Sequence, residues 1–157
     1  MLGIALLVAV TIFYAGYNVL IKISGTYVPA VATTTILATI SLQLAALATS
    51  ALFLGVLVLR GGQVLFLSPA SYLWAVLAGL CIGCAEIGYF YLFGGVGVVR
   101  PMAASVAIPT IVGGTVVIAL LFSAVVLGEE ITWHQIVGGI LIVLGIATVF
   151  FRSPGSL

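Results

Sequence analysis

The sequence predicts an all-α integral membrane protein with five transmembrane helices in an up-down bundle, a single transmembrane domain over residues 1–157 with no soluble domain. Three observations lead there. Of 157 residues, 64% are hydrophobic and 19 are glycine, while four basic and three acidic side chains carry all the formal charge. A water-facing surface needs roughly a quarter to a third charged residues, so a charged fraction of 4% excludes an ordinary soluble domain. A mean hydropathy of +1.49 excludes disorder, which requires few apolar residues and much charge. Apolar stretches also recur five times between glycine, proline and charge punctuation. At about 20 residues per span they use most of the chain and leave connections under about ten residues. Links that short force consecutive helices into antiparallel hairpins, and an odd number of spans puts the termini on opposite sides. The net charge of +1, without a basic cluster, argues against a nucleic-acid partner.

The helices are expected at about 2–24, 29–59, 69–93, 101–127 and 132–151. The first has no preceding basic residue and no small-residue cleavage site, so it reads as a span and not as a signal peptide. Gly25 can take the left-handed conformation that ends a helix, and Pro29 suits a first helical position, where its missing N–H costs nothing. The second stretch, about 30 residues, exceeds what a perpendicular span needs, so tilt or a break is expected. Ser68 and Pro69 repeat the start signal for the third helix, and Gly94, Gly95 and Gly97 end it. Pro109 lies inside the fourth helix, where loss of one backbone bond should kink it. Thr132 and Gln135 form a Thr-x-x-Gln capping box, with Ile131 and Ile136 spaced as its hydrophobic staple. Lys22, Arg100 and Arg152 fall on one side of the membrane and Arg60 on the other, which favours N-terminus outside and C-terminus inside. The bias is small enough to allow insertion both ways.

Glu86 is the most informative residue. A carboxylate in a membrane helix costs about 2.5 to 3.5 kcal/mol to insert and marks a cavity, a partner or a proton path. Withdrawn from water, it could bind and release a proton; it could equally be a structural carboxyl paired with Lys22. Lys22 lies near the same membrane face, and the alternative for it is snorkelling to the headgroups. Polar residues recur with helical period on three helices: Thr11, Tyr14, Asn18 and Lys22 on the first, Thr35, Thr39 and Gln43 on the second, Gly79, Gly83, Glu86 and Phe90 on the third. Such faces either line a shared path or glue helices together. Tyr14 and Tyr17 lie deep enough to wall a pocket, whereas Tyr89 and Tyr91 read as interfacial anchors. The substrate- or proton-binding candidates are therefore Glu86, Lys22, Asn18, Tyr14, Tyr17 and Gln43.

Other motifs read as structure. Cys81 and Cys84 lie in an apolar helix without a redox or zinc context and are expected to be small packing residues. Glu129, Glu130 and His134 are surface charge and capping groups. The glycines at 94, 95 and 97 follow no strand and form no phosphate loop. No metal, cofactor or catalytic residue is expected, and the chain is not expected to be an enzyme. Gly138, Ile142, Gly145 and Val149 make a smooth stripe on the fifth helix, suited to packing on another helix or subunit.

Tyr14 to Ser24 (YAGYNVLIKIS), Glu86 to Tyr91 (EIGYFY), Pro101 to Pro109 (PMAASVAIP) and above all Leu127 to Gly145 (LGEEITWHQIVGGILIVLG) give the chain a resemblance to the drug/metabolite transporter superfamily, specifically its EamA-type five-helix repeat. The likeness covers nearly the whole chain. It departs at Glu130, where many relatives have proline, and in holding one repeat where most relatives carry two in inverted orientation. The resemblance implies a transporter of small molecules or metabolites in the lipid bilayer, a half-size member completed by an antiparallel homodimer or by a homologous half in a heterodimer. It also implies a bacterial inner membrane. The alternatives from other classes are a non-transporting accessory subunit of a larger membrane complex and a translocator of lipids or lipid-linked metabolites.

Overall fold

A computed structural model, which describes residues 2–97 and 100–151, contains five α-helices: α1 Leu2–Tyr27, α2 Ala32–Arg60, α3 Pro69–Gly94, α4 Ala104–Val125 and α5 Trp133–Phe151. The described residues include no strand. The first four helices are long and apolar enough to cross a membrane, and α5 is a shorter apolar helix. Arg152, counted in the charge balance above, lies outside the described residues.

Helix existence and order follow the sequence, and the differences fall at the ends. Gly25 does not terminate α1, which continues to Tyr27. A Cβ on Gly25 would lie 3.0 Å from the Phe93 Cβ, so this glycine serves close helix approach and not capping. Pro29 stays in the connection, where its carbonyl accepts from the Val31 N–H. Helix α2 starts at Ala32 behind Val31, which supplies no side-chain cap. It then runs unbroken for 29 residues, about 44 Å at 1.5 Å per residue, so of the two alternatives expected of this long stretch, tilt or a break, the break does not occur. Helix α3 starts as its signal predicts: the Ser68 hydroxyl accepts from the Ser71 N–H at 3.2 Å, with Pro69 next in line.

Gly95 closes α3 in the left-handed region, its N–H donating to the Tyr91 carbonyl at 3.0 Å. The Pro101 ring lies 2.6 Å from where a Gly95 Cβ would be, so both conformation and space require glycine there. Pro101 thus belongs to the connection, and α4 begins three residues after it, at Ala104. Pro109 sits inside α4, which runs through it as one helix. Half of the capping box forms at α5: the Gln135 side-chain oxygen accepts from the Thr132 N–H at 2.8 Å and from its hydroxyl at 2.9 Å.

Contacts divide the chain into two units, Leu20–Pro101 and Met1–Val19 with Met102–Leu157. In the first unit α2 packs on α3. The Gln43 amide nitrogen lies 3.2 Å from where a Gly83 Cβ would be, which fixes the register of the two helices. The end of α1 meets the end of α3 through Gly25 and Phe93. Ile21, Tyr89, Phe90, Phe93 and Val96 are buried there with Thr35, Thr39 and Glu86. In the other unit α4 packs on α5. Gly113 makes the room: its Cβ would fall 2.8 Å from Ile146 Cδ1 and 2.9 Å from Ile142 Cγ2. Beside this seam an open apolar groove of about 320 Å³ is lined by Leu120, Ile131, Gln135, Ile136 and Gly139 among others, so both staple isoleucines share one surface.

Serine and threonine hydroxyls are mostly satisfied by their own helices. Thr11 donates to Leu7 O, Thr35 to Val31 O, Thr39 to Thr35 O, Ser41 to Leu37 O, Thr49 to Ala45 O, Ser50 to Ala46 O and Thr110 to Val106 O, at 2.7 to 3.1 Å. This weighs against the reading of these hydroxyls as interhelical glue, because the donor is already used.

Candidate functional site

The site is built on the face of α3 that carries Gly83, Glu86, Phe90 and Phe93. Their spacing of three or four residues brings them into one row. Glu86 is 6% exposed, Phe90 and Phe93 2% each. Glu86 lies eight residues before the end of α3, about 12 Å along the axis, well inside a helix long enough to span. Opposite stands α2 with Thr35 and Thr39, 0% and 2% exposed. In the antiparallel register set by Gln43 over Gly83, Thr39 and Thr35 follow at one and two further turns, toward the Glu86 and Phe90 levels. The hydroxyl protons go to the carbonyls of Val31, just ahead of α2, and of Thr35, so what these threonines offer the α3 face is oxygen lone pairs, acceptors for a protonated or cationic neighbour.

Lys22 enters from the end of α1, half-buried, with Nζ 5.1 Å from the centroid of the Phe93 ring. That is within the range of a cation–π contact, which strengthens when water is excluded. Phe93 is also in tilted contact with Tyr89, the ring centroids 5.5 Å apart. Tyr89 is buried, which corrects its reading as an interfacial anchor: the α3 face turns inward at this level and the ring packs on Phe93. Gln43 is exposed as a whole although its amide end covers Gly83.

The remaining α1 candidates lie in the middle of that helix and belong to the other unit. Asn18 is 5% exposed and its amide donates to the Tyr14 carbonyl at 2.8 Å. Tyr14 and Tyr17 meet edge to face at 6.3 Å, with Tyr14 60% exposed. A Cβ on Gly138 or on Gly145 would have nothing within 4 Å, so neither takes part in the α4–α5 seam, which uses Gly113 and Gly139 instead. Cys81 and Cys84 are both exposed, contrary to the packing role expected of them, because the buried face of α3 lies on the Glu86 side. Glu129 folds back on the end of α4, its carboxylate accepting from the Ser123 hydroxyl and its N–H donating to the Ser123 carbonyl.

Sequence reasoning missed Phe93. The signal was available, since it stands three residues after Phe90 and seven after Glu86, on the same helical row.

Chemically, one face of a membrane-length helix carries a buried carboxyl flanked by aromatic rings, acceptor oxygens and one lysine. Such a set suits reversible binding of a proton or a polar small molecule. No curated protein and no solved structure matches the chain. The family model described as the EamA-like transporter family matches residues 1–151. With five helices, four of them long and apolar enough to span, and one repeat's length of chain, the protein is an integral membrane protein that belongs to the EamA-like transporter family.

Proposed function

We propose that this chain is one half of a small-molecule transporter, paired with a second copy or a homologous partner inserted in the opposite orientation, with Glu86 binding a proton and a substrate by turns. One observation carries the reading: Glu86 is 6% exposed inside a helix that is long and apolar enough to span. An ionisable group held there needs a reason, and a path for protons or polar substrate is the commonest one. Inverted-repeat transporters hold their substrate between two halves, and the EamA-like match here accounts for a single repeat. The partner would complete the path that Lys22 and Gln43 line beside Glu86, Asn18, Tyr14 and Tyr17 are proposed as further binding residues on their own unit, and the open stripe at Gly138 and Gly145 would let a second copy approach closely. The single transmembrane domain, the bacterial inner membrane and an N-terminus outside complete this proposal.

The coupling has a simple physical basis. Proton and substrate compete for one carboxylate, so each leaves as the other arrives. The test is a pH-driven uptake or counterflow assay in proteoliposomes with Glu86→Gln, which keeps the shape and removes the titration. Loss of pH-driven movement, with substrate binding kept or weakened, is the expected result; full pH-driven transport by Glu86→Gln refutes the mechanism.

A further inference from the structure

Between α2 and α3 runs a connector, residues 61–68, that belongs to no helix or strand. It contains four consecutive large apolar side chains, and all of them are exposed: Val64 87%, Leu65 67%, Phe66 79% and Leu67 51%. Among the described residues, the backbone N–H and C=O groups of 64–67 form no hydrogen bond with another residue. These two facts pull the segment in opposite directions. Four apolar side chains held in water forfeit the gain of removing their surface from it. Unpaired peptide groups, however, are not tolerated against hydrocarbon, which offers them no hydrogen-bond partner. Only the layer between the two satisfies both, since headgroup and glycerol oxygens and interfacial water bond the backbone while side chains reach the first carbons of the acyl chains.

The neighbours of the connector fit that layer. Arg60, the last residue of α2, is the only charged residue between Lys22 and Glu86, and a guanidinium on a long stem reaches lipid phosphates while its methylenes stay in apolar surroundings. Tyr72 and Trp74, in the first turns of α3, are 54% and 69% exposed, and exposed tyrosine and tryptophan at a span's end mark the headgroup level. Helix α2, about 44 Å long, exceeds the roughly 30 Å hydrocarbon core, so its end arrives at or above that level. Ser68 then starts α3 with its capping bond, which turns the chain back toward the core.

We infer that residues 64–67 lie in the phospholipid interface as an anchor, with the bilayer as their partner: side chains among the upper acyl carbons, backbone at the glycerol level and Arg60 on the phosphates. The anchor is independent of the transport reading and holds for an accessory subunit as well.

The experiment uses the full chain in phosphatidylcholine–phosphatidylglycerol vesicles. With Trp74→Phe and Trp133→Phe to clear the background, Phe66→Trp reports on the connector, and Leu80→Trp, an exposed site in the middle of α3, calibrates depth and certifies insertion. Phospholipids brominated near the glycerol should quench the position-66 reporter roughly twofold more than phospholipids brominated near the chain end, and aqueous iodide should quench it weakly. The order of the two lipids should reverse at position 80. Strong iodide quenching without a bromine effect overturns the inference by placing the connector in water. Quenching by neither overturns it by placing protein, such as a second copy, over the connector. If the tryptophan variants do not insert, Leu65→Cys in a chain with Cys81→Ala and Cys84→Ala decides the matter. Reaction with a membrane-impermeant maleimide roughly tenfold slower than at Gln63→Cys is expected; equal rates overturn the anchor.

Discussion

Replacing Gly25 by alanine adds one methyl group where α1 comes close to α3. The new Cβ would lie 3.0 Å from the Phe93 Cβ, 3.6 Å from the Phe93 carbonyl carbon and 3.7 Å from the Gly94 nitrogen. Carbon atoms rest about 3.5 to 4.0 Å apart, so the shortest contact falls short by about 0.5 to 1 Å. No side-chain rotation relieves it, because two of the three atoms are backbone and the third is fixed to it. The helix ends must separate, which costs about 1–3 kcal/mol by the precedent of overpacked cores. Alanine returns about 0.5–1 kcal/mol by stiffening the unfolded chain and favouring helix. The net expectation for Gly25→Ala is a loss of about 0.5–2 kcal/mol, a factor of about 2 to 30 in the folded-to-unfolded ratio. Gly16, on the same helix, has nothing within 4 Å of its Cβ position, so Gly16→Ala keeps the helix gain without the clash. Titrating both variants from mild detergent into SDS, with circular dichroism and near-ultraviolet absorbance as readouts, should place Gly25→Ala below the parent and Gly16→Ala level with it or above. Equal stability of the two variants would refute the close approach of α1 to α3.

Three further outcomes follow from the geometry. Ser68→Ala removes the acceptor of the Ser71 N–H and should cost about 1 kcal/mol in the same SDS titration. Thr35→Val should change stability by less than about 1 kcal/mol, because the Val31 carbonyl keeps its bond from the Thr35 N–H; if transport in proteoliposomes nevertheless falls, the hydroxyl oxygen serves the substrate path. Gly145→Leu should leave the helical content of the chain unchanged, since nothing stands within 4 Å, while lowering the yield of crosslinked dimer in membranes; unchanged dimer in both detergent and bilayer would exclude the stripe as a subunit contact.

Much of this architecture can be read from the sequence because a bilayer tolerates few solutions. Charge nearly absent and apolar stretches of span length leave only helices, and their order is forced by short connections. The ends were less legible. Gly25 has the composition of a helix stop, yet it lies inside α1 and meets Phe93, nearly 70 residues away. The Glu86 face was visible in period, since Thr35, Thr39, Glu86 and Phe90 repeat at helical spacing and prove buried together. Gln43 shares that period, yet remains exposed overall; period gives the direction of a side chain but not how far along the axis cover extends. Tyr89 shows the same limit from the other side, because composition alone cannot separate a ring at the headgroups from one packed on Phe93.

The hydroxyl bonds within helices also bear on how such a chain enters the membrane. A span whose threonines and serines already donate to carbonyls of the preceding turn presents few unmet donors to lipid. Each hairpin can therefore leave the insertion machinery singly, before its neighbours have been made. The charge bias on its orientation rests on Lys22, Arg60 and Arg100 among the described basic residues. Assembly of the polar face around Glu86 becomes a second step, taken between helices already in the bilayer.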